Sequence, residues 1–117
     1  MKRRKPKTLR SSLREKKRYV VVKIDFEELG LEEFREGLKR KILELFGLVG
    51  YANINPKIIE DTWDGKRVII RCSHKWVEHL RFALISIDRI KDKRVCFSCL
   101  GVSGTLKGAK RKFFKQI

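Results

Sequence analysis

A chain of 117 residues with a formal net charge of +16 is long enough for one domain but too short for a catalytic cleft between two domains. Hydrophobic residues make up 42% of it, which excludes a wholly disordered chain and predicts a core beneath a basic surface. So large an excess of Lys and Arg predicts a polyanionic partner, because self-repulsion otherwise opposes the compact state.

Residues 1–18 are the most basic stretch, with ten Lys or Arg against one acid and a proline at position 6. Without apolar periodicity, this stretch predicts a flexible arm ahead of a single domain over residues 19–117. Its candidate polyanion contacts are Lys2, Arg3, Arg4, Lys5, Lys7, Arg10, Arg14, Lys16, Lys17 and Arg18. No apolar segment of export or membrane type follows, so we expect a cytoplasmic protein without a membrane partner.

The domain opens with a strand and a helix. In "RYVVVKIDF" at 18–26, Val20, Val22 and Ile24 alternate onto one face, as in a β-strand. The stretch 31–47, "LEEFREGLKRKILELFG", then places apolar residues at helical spacing, and Gly47 is the expected end of the helix.

A hairpin and a second helix follow. Two β-prone runs at about 57–63 and 66–72 are separated by Asp64 and Gly65, which predicts a type I′ turn. Ser73 is the expected N-cap of the next helix, whose apolar stripe runs through "HKWVEHLRFALISIDRI".

A last strand over "KRVCFSCLGV" at 93–102 completes the order β-α-β-β-α-β. This order predicts an α/β (α+β) sandwich of the ferredoxin-like, ribonucleoprotein-like type, with an antiparallel sheet and both helices on one face. RNA-recognition modules of this topology stack bases on aromatic side chains of the third strand. Here that strand carries Ile69 and Arg71 on one face and no aromatic residue, so we expect Arg71 to contact phosphate rather than a base platform.

The end of the chain, "LGVSGTLKGAKRKFF" at 100–114, places hydroxyl residues before a basic helix predicted over 104–115. One side of this helix would carry Leu106, Ala109 or Lys110, Phe113 and Ile117. Ser103, Gly104 and Thr105 would form its N-terminus, where free amides attract phosphate. Further RNA contacts would come from Lys107, Lys110, Arg111, Lys112 and Lys115. The alternative is an ordinary capped helix with basic side chains for solubility, and the lack of interleaved acids favours the anion-binding interpretation.

Cysteine and histidine invite a metal site, because Cys96 and Cys99 are three apart and Cys72 is close to His74. Residues three apart on a strand face opposite ways, so the sequence favours buried, reduced thiols and no bound metal or cofactor. We also find no paired carboxylates near a histidine, no nucleophile elbow and no phosphate loop, so no catalytic residue is predicted. A metal-dependent nuclease is therefore the weakest hypothesis for the function of this chain.

Three segments together carry a family resemblance: "LREKKRYVVVKI", "GKRVIIRC" and "LGVSGTLKGAKRKF". From about residue 8 onward the chain resembles archaeal ribonuclease P protein component 2, whose eukaryotic relatives serve ribonuclease P and the mitochondrial RNA processing ribonuclease. The resemblance implies an accessory subunit of an endoribonuclease ribonucleoprotein that removes the 5′ leader of precursor tRNA. It also implies that catalysis and Mg²⁺ belong to the RNA. The alternative is a general RNA-binding module of ribosomal-protein type.

The resemblance further implies protein partners. These are ribonuclease P protein component 3 and other holoenzyme proteins, with two copies of each component forming a heterotetramer, and precursor tRNA is an indirect partner. In that light the apolar stretch "LFGLVGYANI" at 45–54 becomes a candidate contact surface. Its candidate interface residues are Phe46, Leu48, Val49 and Tyr51. Simple inward packing of this stretch is an equally good interpretation.

Overall fold

Residues 16–25 and 29–113 are described by the computed structural model. The helices are α1 (Leu31–Ile54), α2 (Val77–Ser86) and α3 (Leu106–Phe113), and the strands are β1 (Lys17–Ile24), β2 (Lys57–Ile59), β3 (Arg67–Ser73), β4 (Arg89–Ile90), β5 (Lys93–Arg94) and β6 (Phe97–Ser103). Residues 1–15 of the predicted arm lie outside the described residues, and its last two residues, Lys17 and Arg18, belong to β1.

The main sheet is antiparallel, with strand order β2-β3-β1-β6. This arrangement confirms the predicted ferredoxin-like topology, because β1 lies between the third and last strands of the β-α-β-β-α-β order. Val20, Val21 and Val22 are all fully buried, so β1 is covered on both faces. Burying a Val side chain contributes roughly 1.5–3 kcal/mol, which makes β1 the centre of the fold.

Helices α1 and α2 cover one face of the sheet, as predicted. Phe34, Leu38 and Ile42 of α1 pack with the apolar residues of α2 in the main core. The start of α1 is fixed by Glu33, whose Oε1 accepts from the N–H of Gly30 at 3.1 Å and from Lys93 Nζ at 3.0 Å. These two donors, with the Gly30 amide as the larger influence, lower the pKa of the Glu33 carboxyl.

The stop predicted at Gly47 is confirmed as a break in α1, but it is not the end of the helical region. Gly47 leaves the helical path, with φ 74° and ψ −177°, but the chain re-enters a helix that ends at Ile54. Asn55 closes this second segment in the left-handed conformation, and its N–H donates to the carbonyl of Tyr51 at 2.9 Å. Ile54 is fully buried in the main core, so tertiary packing supports a second helical segment after the break at Gly47.

The hairpin connection also differs from the prediction. β2 ends at Ile59 and a 3₁₀ turn occupies Glu60–Thr62, because the Thr62 hydroxyl donates to the Ile59 carbonyl and accepts from the N–H of Ile69. Gly65 has a positive φ of 86°, but Asp64 does not, so the turn is not type I′. Instead Asp64 Oδ1 accepts from the N–H of Lys66 at 2.8 Å and from that of Arg67, the first residue of β3, at 2.7 Å.

Two further boundaries shift. Ser73 is the last residue of β3, and α2 begins only at Val77 after a 3₁₀ turn over His74–Trp76. Ser73 is therefore not the N-cap of α2. The strand predicted over 93–102 is split, because β4 and β5 pair as a small separate hairpin and β6 begins at Phe97.

Candidate nucleic-acid interface

Helix α3 covers the sheet face opposite α1 and α2. Ala109 is fully buried against Val21 and Ile69, and Leu106 and Phe113 flank this small second cluster. These three α3 residues form the apolar side predicted for the helix. The face on which related modules stack bases is thus occupied by the chain's own helix, which explains why β3 needs no aromatic residue there.

Hydroxyl groups close the start of α3, as predicted for a capped helix. Thr105 Oγ1 accepts from the N–H of Gly108 at 3.0 Å, and Ser103 Oγ accepts from the N–H of Thr105 at 3.3 Å. A Cβ at Gly108 would lie 2.8 Å from Ser103 Oγ and 2.9 Å from Thr105 Oγ1. Gly108, which weakens a helix by its intrinsic propensity, is therefore the residue that lets this turn close.

The outer side of α3 is cationic. Lys107, Arg111 and Lys112 are exposed, and no carboxylate of residues 16–25 or 29–113 lies within ion-pairing distance of them. Lys110 approaches Asp61 at 4.0 Å. At the other end of the helix, Arg67 Nη1 donates to the Phe113 carbonyl at 2.5 Å, which holds α3 against β3.

The strands divide the other predicted contacts between two faces. Lys17 and Arg71 lie on the α3 face, because each is two residues from a member of the second cluster. Arg18 lies on the opposite face and donates to the carbonyl of Lys17 at 2.9 Å. Lys16 is exposed just before β1. The sequence reasoning missed Lys57, which lies directly opposite Arg71 on β2.

The remaining predicted contacts lie outside the described residues. They are Lys2, Arg3, Arg4, Lys5, Lys7, Arg10, Arg14 and Lys115. What the structure brings together is α3, the hydroxyl groups before it and the neighbouring end of the sheet.

The candidate protein-interface residues separate into two groups. Leu48 and Val49, in the second segment of α1, are 74% and 75% exposed, so inward packing does not describe them. Phe46 packs against His79, with ring centroids 5.1 Å apart, and Tyr51 is half-buried. The sequence did not single out Phe82 and Ile85 of α2, which are also exposed, because a helical stripe does not reveal which of its edges stays uncovered.

Thiols and imidazoles do not assemble into a metal centre in the part of the chain that the structure describes. Cys72 is buried, and burial raises the pKa of its thiol to about 11. Cys96 is exposed and Cys99 half-buried, so the expectation of buried thiols is correct for Cys72 alone. Cys96 falls in the break between β5 and β6, where the predicted continuous strand does not form. Among the described helices, none is long and apolar enough to span a membrane.

Sequence comparison places these features in a family. The Rpp14/Pop5 family matches residues 18–114, from the start of β1 to the end of α3. The chain belongs to this family. Ribonuclease P protein component 2 of Pyrococcus horikoshii is 40% identical over 117 residues, which cover 97% of this chain and 95% of that protein. The component 2 protein of Methanocaldococcus jannaschii is 39% identical over 112 residues, covering 92% and 79%. The resemblance drawn from the three sequence segments is confirmed.

The fold has a counterpart of known structure. A chain in the cryo-EM structure of yeast ribonuclease MRP matches with a TM-score of 0.65 at 14% sequence identity, over 79% of this chain and 76% of that chain. At this level of identity the likeness concerns the fold.

Proposed function

We propose that this chain is a protein subunit of ribonuclease P that binds the catalytic RNA and supports removal of the 5′ leader from precursor tRNA. The observation that carries the proposal is the family match from β1 to α3, together with relatives named ribonuclease P protein component 2 over almost the whole chain. A general RNA-binding module would account for the charge but not for this family membership.

The proposed mechanism is positioning of RNA. Thr105 and Ser103 order the first turn of α3. Lys107, Arg111 and Lys112 are exposed along this helix and have no acidic partners among the described residues. Cations placed this way neutralise phosphates and release condensed counterions, so that RNA helices approach each other with less repulsion. In this proposal the Mg²⁺ ions and the cleavage step belong to the RNA, and the protein lowers the Mg²⁺ concentration that the active RNA needs.

The second segment of α1 is the proposed protein contact. Leu48 and Val49 expose three quarters of their surface and directly follow the kink at Gly47 in α1. We assign this surface to ribonuclease P protein component 3 and to a second copy of this chain in a heterotetramer. The three cysteines are free, which is consistent with a reducing compartment, the cytoplasm.

The proposal is tested by cleavage of precursor tRNA by the catalytic RNA at limiting Mg²⁺, with component 3 present and this chain added or omitted. We expect stimulation only when the RNA and both proteins are together. Cleavage by the protein without the RNA would establish a nuclease instead. RNA binding without stimulation would leave a general RNA-binding module.

The role of α3 is tested with Lys107→Ala, Lys110→Ala and Arg111→Ala combined. Each lost phosphate contact reduces the slope of log K against log salt by roughly 0.7–0.9, so we expect a slope up to about 2–3 units shallower and weaker binding to the catalytic RNA. A matched control removes three exposed cations elsewhere, with Arg40→Gln, Lys75→Gln and Lys91→Asn. An unchanged slope in the α3 variant, or an equal change in the control, contradicts the assignment.

A further inference from the structure

One end of the sheet face that carries α3 is basic. Lys57, Arg71, Tyr19 and Ser103 lie side by side in register across β2, β3, β1 and β6. Lys17 lies on the same face two residues before Tyr19. We call Lys17, Lys57 and Arg71 the sheet-end patch; Lys57 is exposed, and the other two are half-exposed.

The cations of the sheet-end patch have no acidic counterparts among residues 16–25 and 29–113. No described carboxylate forms an ion pair with Lys17, Lys57 or Arg71. Lys57 and Arg71 are direct cross-strand partners, and like charges in that position destabilise a sheet. The fold thus holds together cations that repel each other, which favours an anion that neutralises them.

We propose that the sheet-end patch binds the sugar–phosphate backbone of RNA and extends the α3 surface across the sheet to the edge strand β2. The inference rests on the proposed function of this chain as an RNA-binding subunit. Neighbouring strands are about 4.8 Å apart, so the row from Lys57 to Ser103 spans about 14 Å, which is room for more than one phosphate. Ser103 ends the row and also orders the first turn of α3, so the two surfaces are continuous.

Binding of a phosphate backbone explains three features together. The cations are arranged across strands rather than along one strand, they lack acidic partners among the described residues, and they adjoin a helix whose outer side is also cationic. A row built only for solubility would gain nothing from placing Lys57 opposite Arg71, because the repulsion weakens the pairing of β2 with β3.

The test is the affinity of the full chain for RNA as a function of salt, with Lys57→Thr and Arg71→Thr combined. Thr has a high β-strand propensity, so these substitutions are compatible with the sheet. Lys57→Gln alone provides a milder variant on the edge strand. Two probes separate the sources of phosphate: the catalytic RNA alone and precursor tRNA alone. Between 50 and 200 mM salt each phosphate contact accounts for about a threefold loss of affinity. Over this range the factor by which affinity falls is therefore expected to be about ten times smaller for the double variant than for the wild type.

The matched control is Arg40→Gln with Lys91→Asn, which removes the same charge from two exposed positions beside α1. The inference holds if the sheet-end variants reduce affinity and salt dependence for either RNA while the control does not. It is overturned if both sheet-end variants match the wild type with both RNAs while the α3 variant loses affinity. Failure of the wild type to bind either RNA would overturn the proposed function as well, and the two outcomes are therefore distinguishable.

Discussion

Replacement of Gly101 by Ala tests whether α3 packs on the sheet as described. Gly101 lies on β6 beneath the ring of Phe113, and an added Cβ would overlap Cζ of that ring and lie 2.9 Å from both Cε atoms. Cβ atoms in proteins essentially never approach other atoms so closely. The ring of Phe113 must therefore move from its place over β6.

Two opposing effects set the magnitude. Overpacking of this kind costs about 1–3 kcal/mol, whereas Ala in place of Gly in a strand gains about 0.5–1 kcal/mol. We expect Gly101→Ala to lower the free energy of unfolding by about 1–2 kcal/mol. When Phe113→Ala removes the ring, the clash is absent, and the same Gly101→Ala change should instead stabilise the protein by about 0.5–1 kcal/mol.

The assay is urea denaturation of the wild type, the two single variants and the double variant, followed by a double-mutant cycle. The sign of the Gly101→Ala effect is expected to invert between the two backgrounds. Equal effects in both backgrounds would refute the packing of Phe113 over Gly101, and with it the placement of α3.

Two other predictions concern the α1 layer. The groups that contact Glu33 lower the pKa of its carboxyl, so its charge stabilises the fold above pH 4.5, the ordinary value, and this stabilisation is lost as the pH falls through the lowered pKa. Glu33→Gln should therefore reduce the melting temperature at pH 7, and the difference from the wild type should shrink as the pH falls below 4.5; a constant difference would contradict this. Leu48→Asp combined with Val49→Asp should abolish the complex with component 3 or the self-association of this chain, measured by sedimentation, while binding of the catalytic RNA persists. The control, Phe82→Asp combined with Ile85→Asp, should leave these complexes intact. Unchanged complexes in the Leu48 and Val49 variant would reject the proposed interface.

The order of elements was predictable because alternation and helical periodicity are local. The alternation of Val20, Val22 and Ile24 onto one face predicted the strand β1, and the structure adds that Val21 on the other face is buried as well. The apolar side of α3 followed from the spacing of Leu106, Ala109 and Phe113 in the same way. What the spacing did not show was the layer against which α3 packs, since that depends on the assembled sheet.

The errors arose where distant residues decide the local structure. Gly47 alone predicts the end of a helix, but the burial of Ile54 in the main core keeps a second helical segment. Asp64 accepts backbone N–H groups with its side chain and so replaces the turn that the Asp-Gly pair predicts. Lys57 was missed because its importance depends on its register opposite Arg71, and single-strand patterns do not specify register.

The central place of β1 also determines when the protein can fold during synthesis. β1 is the first strand among residues 16–25 and 29–113, yet its neighbours are β3 and β6, which leave the ribosome after it. Until residues 97–103 have been translated, Val20, Val21 and Val22 lack one of the two strands that flank them. Such long-range pairing slows folding and leaves an apolar strand open to wrong partners. We expect the nascent chain to depend on chaperone or RNA contacts until β6 and α3 are added.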